Sequence, residues 1–373
     1  MKKQKLAYVL HGITYGGVEV ALVSAVPKLH KEFDLKIVCL GEIDNKLISE
    51  LTDSEKSTFV SFPGGPAKFA ITLFSAIKYL LHFKPDKIVC SLWRASLVGA
   101  IVKKIRKRVI LYSFIHSTTH FHPLDRIFTK IAISKADFIL TDSHATLEYV
   151  FSEYRPQVPV SVISFLKQPS PAQKSNNTPD VNKEVKFIFL GRIDEVKNIP
   201  LALKVISFLR KQGINATLDL YGSDSVGYWK TIAKQVLENG LADVVSFKKE
   251  LLPSLVVATL KKYSFLIQMS RVEGMAMSVA EAMQQGLVCV VTAVGEIPNY
   301  SEDMVSAVYV DIQTSESWDN CLIKIWRLIQ DDSLYQAISE AAYQGFRNRK
   351  TYADSLAATL KSNAYPYSKY AQN

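Results

Sequence analysis

The segment Ser270-Arg271-Val272-Glu273-Gly274-Met275-Ala276-Met277-Ser278-Val279-Ala280-Glu281-Ala282-Met283, closed by Gln284-Gln285-Gly286, decides how this chain is read. A short apolar run, Phe265–Gln268, precedes it and another, Val288–Val291, follows it; both have the length of buried strands. Val279–Gln285 between them reads as a helix, with Gly286 as its C-terminal stop. Strand, helix and strand in such close succession form a βαβ unit with parallel strands. Glu273 is an acid set before a glycine in the loop of that unit, where no structural need for a charge is evident. Glu281 lies in the helix, where it pairs with Ser278 as a capping box just as well as it serves a ligand.

Moving outward, the same alternation repeats on both sides. Towards the N-terminus, Val244–Phe247, Ala216–Tyr221 and Val185–Leu190 are strand-like, separated by helical stretches at Trp229–Glu238 and Leu201–Arg210. Further upstream, strands are expected at Leu6–Leu10, Leu35–Leu40, Lys87–Cys90, Val109–Ile115 and Phe138–Thr141. Helices are expected at Val18–Leu29, Phe69–Phe83, Ala95–Ile105 and Leu124–Ile133, and a last helical stretch at about Ser317–Lys361. Between the two series lies a stretch rich in Pro, Ser and Asn with almost no large apolar side chain, the composition of a linker. The expected organisation is an α/β chain with an N-terminal domain over 1–167, a linker over 168–184 and a C-terminal domain over 185–350. The chain has 373 residues, 48% hydrophobic and 21% charged, enough for two cores. Two doubly wound domains place ligands beyond the carboxyl ends of their strands, in a cleft between them.

Charge divides unevenly. Residues 1–180 hold 24 Lys and Arg against 15 Asp and Glu, whereas residues 181–373 hold 21 against 20. Lys103, Lys104, Arg106, Lys107 and Arg108 concentrate part of the excess, and such a cluster suits either an anionic partner or a solvated helix end. No nucleic-acid-binding motif accompanies it. The four cysteines show no CxxC spacing and read as buried thiols. The apolar run Leu6–Leu10 is too short for a secretory signal and no stretch approaches a spanning helix, so the expected location is cytoplasmic, or peripheral on the inner face of the cell membrane.

Three further loops follow strands. His11-Gly12-Ile13-Thr14-Tyr15-Gly16-Gly17-Val18-Glu19 brings two glycines to a helix start; it is either an anion-binding turn or a plain tight turn, and it lacks the dinucleotide fingerprint. Gly191-Arg192-Ile193-Asp194-Glu195-Val196-Lys197-Asn198 sets two cations beside a helix start that Asn198 can cap, suited to a diphosphate and equally to open surface. His116 ends the strand that runs through Tyr112-Ser113-Phe114-Ile115. Taken alone, such a histidine is more often structural.

These motifs together resemble the retaining glycosyltransferases of family 4, of the GT-B fold with two Rossmann-like domains. The resemblance rests on Gly16-Gly17-Val18-Glu19, Gly191-Arg192 with Lys197-Asn198, Tyr221-Gly222, the Glu273/Glu281 segment with Gly286, and Val291-Thr292-Ala293-Val294-Gly295. It implies sugar transfer from a nucleotide-sugar, a UDP-sugar foremost, held by the C-terminal domain, to a glycan or lipid-linked acceptor on the N-terminal domain, in surface polysaccharide or glycolipid synthesis. It also implies that a C-terminal helix, about 351–373, packs back on the first domain. By the same resemblance Arg192 and Lys197 hold the leaving diphosphate without a metal or other cofactor, and Glu273 holds donor-sugar hydroxyls. Gly17 and the backbone of Gly274, Met275, Ala276 and Met277 lie against the donor, Glu281 holds the ribose and His116 is the active-site histidine. The cluster Lys103–Arg108 faces an anionic membrane or the acceptor.

The chain departs from that pattern in two places. Gly295-Glu296 stands where the family has two glycines, its following acid falls on Asn299, and Ser164-Phe165-Leu166-Lys167 replaces an Asn-Gly-hydrophobic-Asp stretch. Other readings of the same fold are a nucleotide-sugar epimerase, which lacks the paired glutamates, and a non-catalytic glycan-binding scaffold, which has lost the acid or the cations.

Overall fold

The computed structural model describes residues 3–62, 64, 69–118, 123–311 and 313–362. The chain forms two compact units, Met1–Gln168 with Lys350–Asn373, and Pro169–Arg349.

The first unit alternates β1 (Lys5–Leu10), α1 (Gly17–Glu32), β2 (Asp34–Cys39), α2 (Asp53–Lys56), β3 (Phe59–Ser61), α3 (Phe69–Phe83), β4 (Lys87–Ser91), α4 (Trp93–Ile105), β5 (Ile110–Ile115), α5 (Pro123–Lys135), β6 (Phe138–Thr141), α6 (His144–Tyr154) and β7 (Val160–Val162). Its seven strands pair in the order β3-β2-β1-β4-β5-β6-β7, all parallel. Central strands covered on both faces need apolar side chains at every position, and Leu6 to Leu10 are wholly buried. Right-handed crossovers put α3, α4 and α5 on one face of the sheet, with α4 packed between the other two.

The second unit contains β8 (Val185–Leu190), α7 (Ile199–Lys211), β9 (Ala216–Tyr221), α8 (Trp229–Glu238), β10 (Val245–Lys249), α9 (Val256–Leu260), β11 (Phe265–Gln268), α10 (Met277–Gln284), β12 (Val288–Val291), α11 (Ile297–Tyr300), β13 (Val308–Tyr309), α12 (Ser315–Gln330) and α13 (Asp332–Phe346). Its sheet runs β10-β9-β8-β11-β12-β13, again parallel throughout. The helical stretch expected at Ser317–Lys361 is therefore broken. Asp331 accepts from the Leu334 amide and starts α13 as a cap, and a third helix, α14 (Tyr352–Ser362), follows in the other unit.

The segment 168–184 is not a spacer between units. From Pro169 it belongs to the second unit, where Lys174 Nζ donates to Gln336 Oε1 (2.7 Å) and Ser339 Oγ (3.1 Å), and Tyr343 Oη donates to the Pro171 carbonyl (2.7 Å). Its polar composition reflects a strap lying over α13 rather than free chain. α14 packs on α1, held by the Lys28–Asp354 and Lys361–Glu32 pairs and by the Tyr352 amide donating to Leu166 (2.7 Å). The rest of the expected helix, beyond Ser362, lies outside the described residues.

Candidate active site

Within the second unit, the loops after β8, β11 and β12 meet at the carboxyl edge of three adjacent strands. β11 ends in Gln268, a polar side chain at the tip of an otherwise apolar strand and 2% exposed. Its Nε2 donates to Glu273 Oε1 (2.6 Å), as does Ser270 Oγ (2.5 Å). Lys197 Nζ comes from the β8 loop to the same oxygen at 2.7 Å. Three donors thus converge on Oε1, and no described residue donates to Oε2. The Lys197 and Glu273 side chains are 14% and 8% exposed. A pair so enclosed adds little net stability, because desolvation offsets the Coulomb attraction. Its place at a sheet edge fits a role in chemistry better than one in folding.

The surrounding loops are tied together. The Arg271 amide donates to Val196 O (2.8 Å), Thr292 Oγ1 to Ser270 O (2.5 Å), and the Glu296 amide to Gly274 O (2.9 Å). Gly295 has φ +60°, and a side chain there would run into the backbone of Glu273 and Gly274, so only glycine lets the β12 loop lie this close. Glu296, where the family has a second glycine, is buried and accepts from Asn299 Nδ2 at 2.9 Å.

Ser278 and Glu281 do not form the expected capping box. The N-cap of α10 is Ala276, in the left-handed conformation at φ +52°, and Ser278 lies inside the helix with its hydroxyl donating to Gln268 Oε1 (2.5 Å). No hydrogen bond among the described residues uses the amides of Gly274, Met275, Ala276 or Met277, at the positive end of α10. Gly286 does close this helix, with the Gly286 and Leu287 amides returning to Met283 O and Ala282 O as a Schellman turn. Glu281 is buried in the helix at 5% exposure. Asn198 stands at the N-cap of α7 but its side chain makes no cap; Asp194 instead caps the preceding turn through the Lys197 amide (3.2 Å). Arg192 does not join Lys197 on Glu273. Its side chain is 59% exposed and its guanidinium lies 3.4 Å from Asp194.

In the first unit, His116 follows β5, Ser91 ends β4 and Asp142 follows β6, all at the carboxyl edge. His116 Nε2 lies 3.0 Å from Ser91 Oγ, which lies 2.6 Å from Tyr8 Oη, which in turn meets Tyr352 Oη of α14 at 3.0 Å. His116 Nδ1 is 3.8 Å from Asp142 Oδ2, and the ring packs against Phe114 and Phe165. Phe165 thus gives a structural use to the segment that departs from the family pattern. Burial pushes the Tyr8 phenol up to about 12, so it stays protonated through the neutral range. Gly17 opens α1, whose first turn carries the buried Glu19, 2.9 Å from His11 Nε2.

The basic cluster is not one patch. The Lys103 side chain is 20% exposed and its Nζ is occupied by Asp137 (2.7 Å) and the Val109 carbonyl (2.8 Å), so it has the counter-anion its sequence neighbours seemed to lack. Lys104, Lys107 and Arg108 are exposed and Arg106 is half-buried.

A family model for glycosyl transferases group 1 matches residues 172–345, and one for glycosyltransferase family 4 matches residues 15–164. The chain belongs to the group 1 glycosyl transferases. Its two Rossmann-like units have the GT-B fold of solved relatives. HepE of Anabaena, in complex with UDP and glucose, superposes with a TM-score of 0.80 at 18% identity, over 96% of this chain and 100% of that one. Sucrose-phosphate synthase from Thermosynechococcus elongatus gives 0.74 at 15% identity, over 96% and 98% of the two chains. The lipopolysaccharide outer core galactosyltransferase WaaB gives 0.68 at 14% identity, over 97% and 100%. No curated protein matches the sequence.

For this glycosyltransferase, the residues singled out from sequence fall into separate groups. Lys197, Glu273 and the Gly274–Met277 backbone are together, Arg192 is beside them in the same loop as Lys197, and His116 belongs to the other unit. Gln268, Ser270, Ser91 and Asp142 were not anticipated. A polar residue at the end of a buried strand (Gln268, Ser91) or just beyond it (Ser270, Asp142) was the available signal.

Proposed function

We propose that this protein is a retaining, metal-independent glycosyltransferase that moves a sugar from a nucleotide-sugar, a UDP-sugar foremost, to a glycan or lipid-linked acceptor. The observation that carries the reading is the Lys197–Glu273 pair at the carboxyl edge of the second sheet, beside the unused amides of 274–277. A lysine ammonium has three donors, and Glu273 takes one. The other two, with Arg192, suit a diphosphate, and cations fixed beforehand lower the barrier to its departure. Glu273 Oε2 suits a donor-sugar hydroxyl, Glu281 the ribose. The amides at the start of α10 suit the sugar and phosphate oxygens.

In this mechanism the acceptor hydroxyl attacks the anomeric carbon on the face the diphosphate leaves. The carbon–oxygen bond to the acceptor forms as the bond to the diphosphate breaks, and the hydroxyl proton passes to a diphosphate oxygen. No protein nucleophile takes part, and the configuration is kept. UDP and UDP-glucose in the HepE crystals, and UDP with GlcNAc in the pneumococcal O-GlcNAc transferase GtfA, support a UDP-sugar donor. The WaaB likeness agrees with a role in surface glycoconjugate synthesis.

The test is a donor screen on the purified chain, following nucleotide release from UDP-, GDP- and ADP-sugars, then a mass search for a transferred hexose. Release from a UDP-sugar with an α-linked product is the expected result. Release from none of the three donors, or an inverted linkage, refutes it.

A further inference from the structure

The sequence pointed to the cluster Lys103–Arg108 and the Phe69–Phe83 helix as a membrane contact, and the exposed apolar side chains of this unit lie on that helix, α3, and on α5. α3 turns Ile71 and Phe74 to solvent at 66% and 68% exposure. α5 does the same with Leu124, Ile127 and Ile131, at 52%, 50% and 38%. The spacing of each set puts it on one stripe of its helix. Five large apolar side chains turned outward on two helices of one face form a patch, not scattered exposure.

The patch is joined by aromatic rings. Phe69 of α3, Trp93 of α4 and Phe128 of α5 lie 5.9 and 5.6 Å apart by centroid, and the Arg94 guanidinium sits over the first two rings. The charges on these helices are mostly cations. On the stretches of α3, α4 and α5 that carry the patch the cations are Lys78, Arg94, Arg126 and Lys130, against one acid, Asp125, which is buried. Arg126 is paired with Glu153 and Lys103 with Asp137, while Lys78 and Lys130 are exposed on the apolar helices themselves.

Most of the patch also has a definite place along the helices. In a βαβ unit each helix runs antiparallel to the strands, so its N-terminal turns lie at the carboxyl edge of the sheet. Ile71, Phe74, Leu124 and Ile127 are in the first two turns of their helices, at the edge where His116 sits. Lys104, Lys107 and Arg108 are at the far end of α4, roughly 20 Å away at 1.5 Å per residue.

We infer that the α3–α5 face seats on an anionic lipid bilayer, with Ile71, Phe74, Leu124, Ile127 and Ile131 entering the interface and Lys78 and Lys130 meeting the headgroups. The match is of charge as well as polarity, since a polar or basic partner gains nothing from a cationic apolar surface. The inference deepens the reading of a lipid-linked acceptor, because the seated edge is the one that holds His116. Seating is independent of sugar transfer, however, and is measured without donor or acceptor.

The experiment is co-sedimentation of the purified full chain with vesicles of phosphatidylglycerol and phosphatidylcholine, and with phosphatidylcholine alone. It compares wild type, I71S/F74S, I127S/I131S and K104Q/K107Q/R108Q at low and high salt. Wild type is expected to bind the anionic vesicles at least tenfold better than the neutral ones, and less well as salt rises. Each apolar double variant is expected to lose binding about tenfold or more. The cluster triple variant is expected to lose several-fold less than either double variant. The substituted apolar residues are exposed, so unchanged thermal unfolding is expected and excludes misfolding as the cause. If the double variants bind as wild type does, or the triple variant alone loses binding, the inference fails. A concentration-dependent dimer in sedimentation velocity that the double variants abolish assigns the face to a second copy and also overturns it.

Discussion

Glu273 carries the heaviest demand of any single side chain. It holds Lys197 through Oε1, and no described residue donates to Oε2, so one substitution tests both the pair and the proposed sugar contact. Glu273→Gln keeps the size and the hydrogen bonds of an amide but removes the charge. It is expected to leave the fold intact and lower transfer by about 10²–10³, read as kcat on the purified variant. Near-normal turnover excludes the assignment. Lys197→Ala is expected to weaken UDP binding about tenfold to a hundredfold, the range for a lost charged hydrogen bond, by calorimetric titration. Arg192→Ala is expected to cost less, since that side chain is mostly exposed and already near Asp194. In the first unit, Ser91→Ala removes the partner of His116 Nε2 while Tyr8 keeps Tyr352. If His116 serves the reaction, kcat falls about tenfold, the pH–rate profile moves and the donor KM stays. Loss of thermal stability with an unchanged profile marks Ser91 as purely structural.

Among the elements, α14 is the most instructive. It is separated by the whole second unit from the domain it packs on, and side-chain pairs hold it there. Lys28 and the Thr351 hydroxyl hold the Asp354 carboxyl below the usual carboxylate range. A carboxyl so depressed contributes stability above its unfolded pKa of about 3.9, and loses it as pH falls through the folded value. Asp354→Asn is therefore expected to lower Tm at pH 7 by about 1–2 °C, a small effect because the pair is half exposed. As pH falls towards 2 the difference between variant and wild type should shrink. An equal difference at both pH values would rule out the ion pair as the cause. α10 teaches a different lesson: its start is the left-handed Ala276, with no side-chain cap, and not the Ser278 and Glu281 pattern that sequence spacing suggested.

At the scale of the whole molecule, the second unit carries the Lys197–Glu273 pair, and the first carries most of the excess positive charge and the exposed apolar side chains of α3 and α5. Among the described residues no helix is long and apolar enough to cross a membrane. If Lys197 and Arg192 neutralise the diphosphate as proposed, EDTA is expected to leave sugar transfer within about twofold of the untreated rate. Complete inhibition, restored by Mn²⁺ or Mg²⁺, would show that a metal supplies the positive charge instead.

The sequence by itself determined the alternation of strands and helices, because a strand buried on both faces must be apolar throughout and its crossover helix amphipathic. That pattern is local, so Val185–Leu190 and Phe265–Gln268 were legible as they stand. It also displayed Glu273, Lys197 and His116, since a charge or an imidazole at the end of an apolar run stands out. It showed less of α6 and β7, where apolar and polar residues mix at a sheet edge, and it mistook the strap from Pro169 for a linker because polar side chains that bond α13 look the same as solvated ones. Only the tertiary structure decided which charges meet. Lys197 and Glu273 are far apart in the chain and are brought to 2.7 Å by the adjacency of β8 and β11; Lys103 is withdrawn from its cluster by Asp137. Which apolar helix face is left outside was likewise decided there, because burial depends on what packs against a helix, and periodicity gives a stripe without saying which way it points.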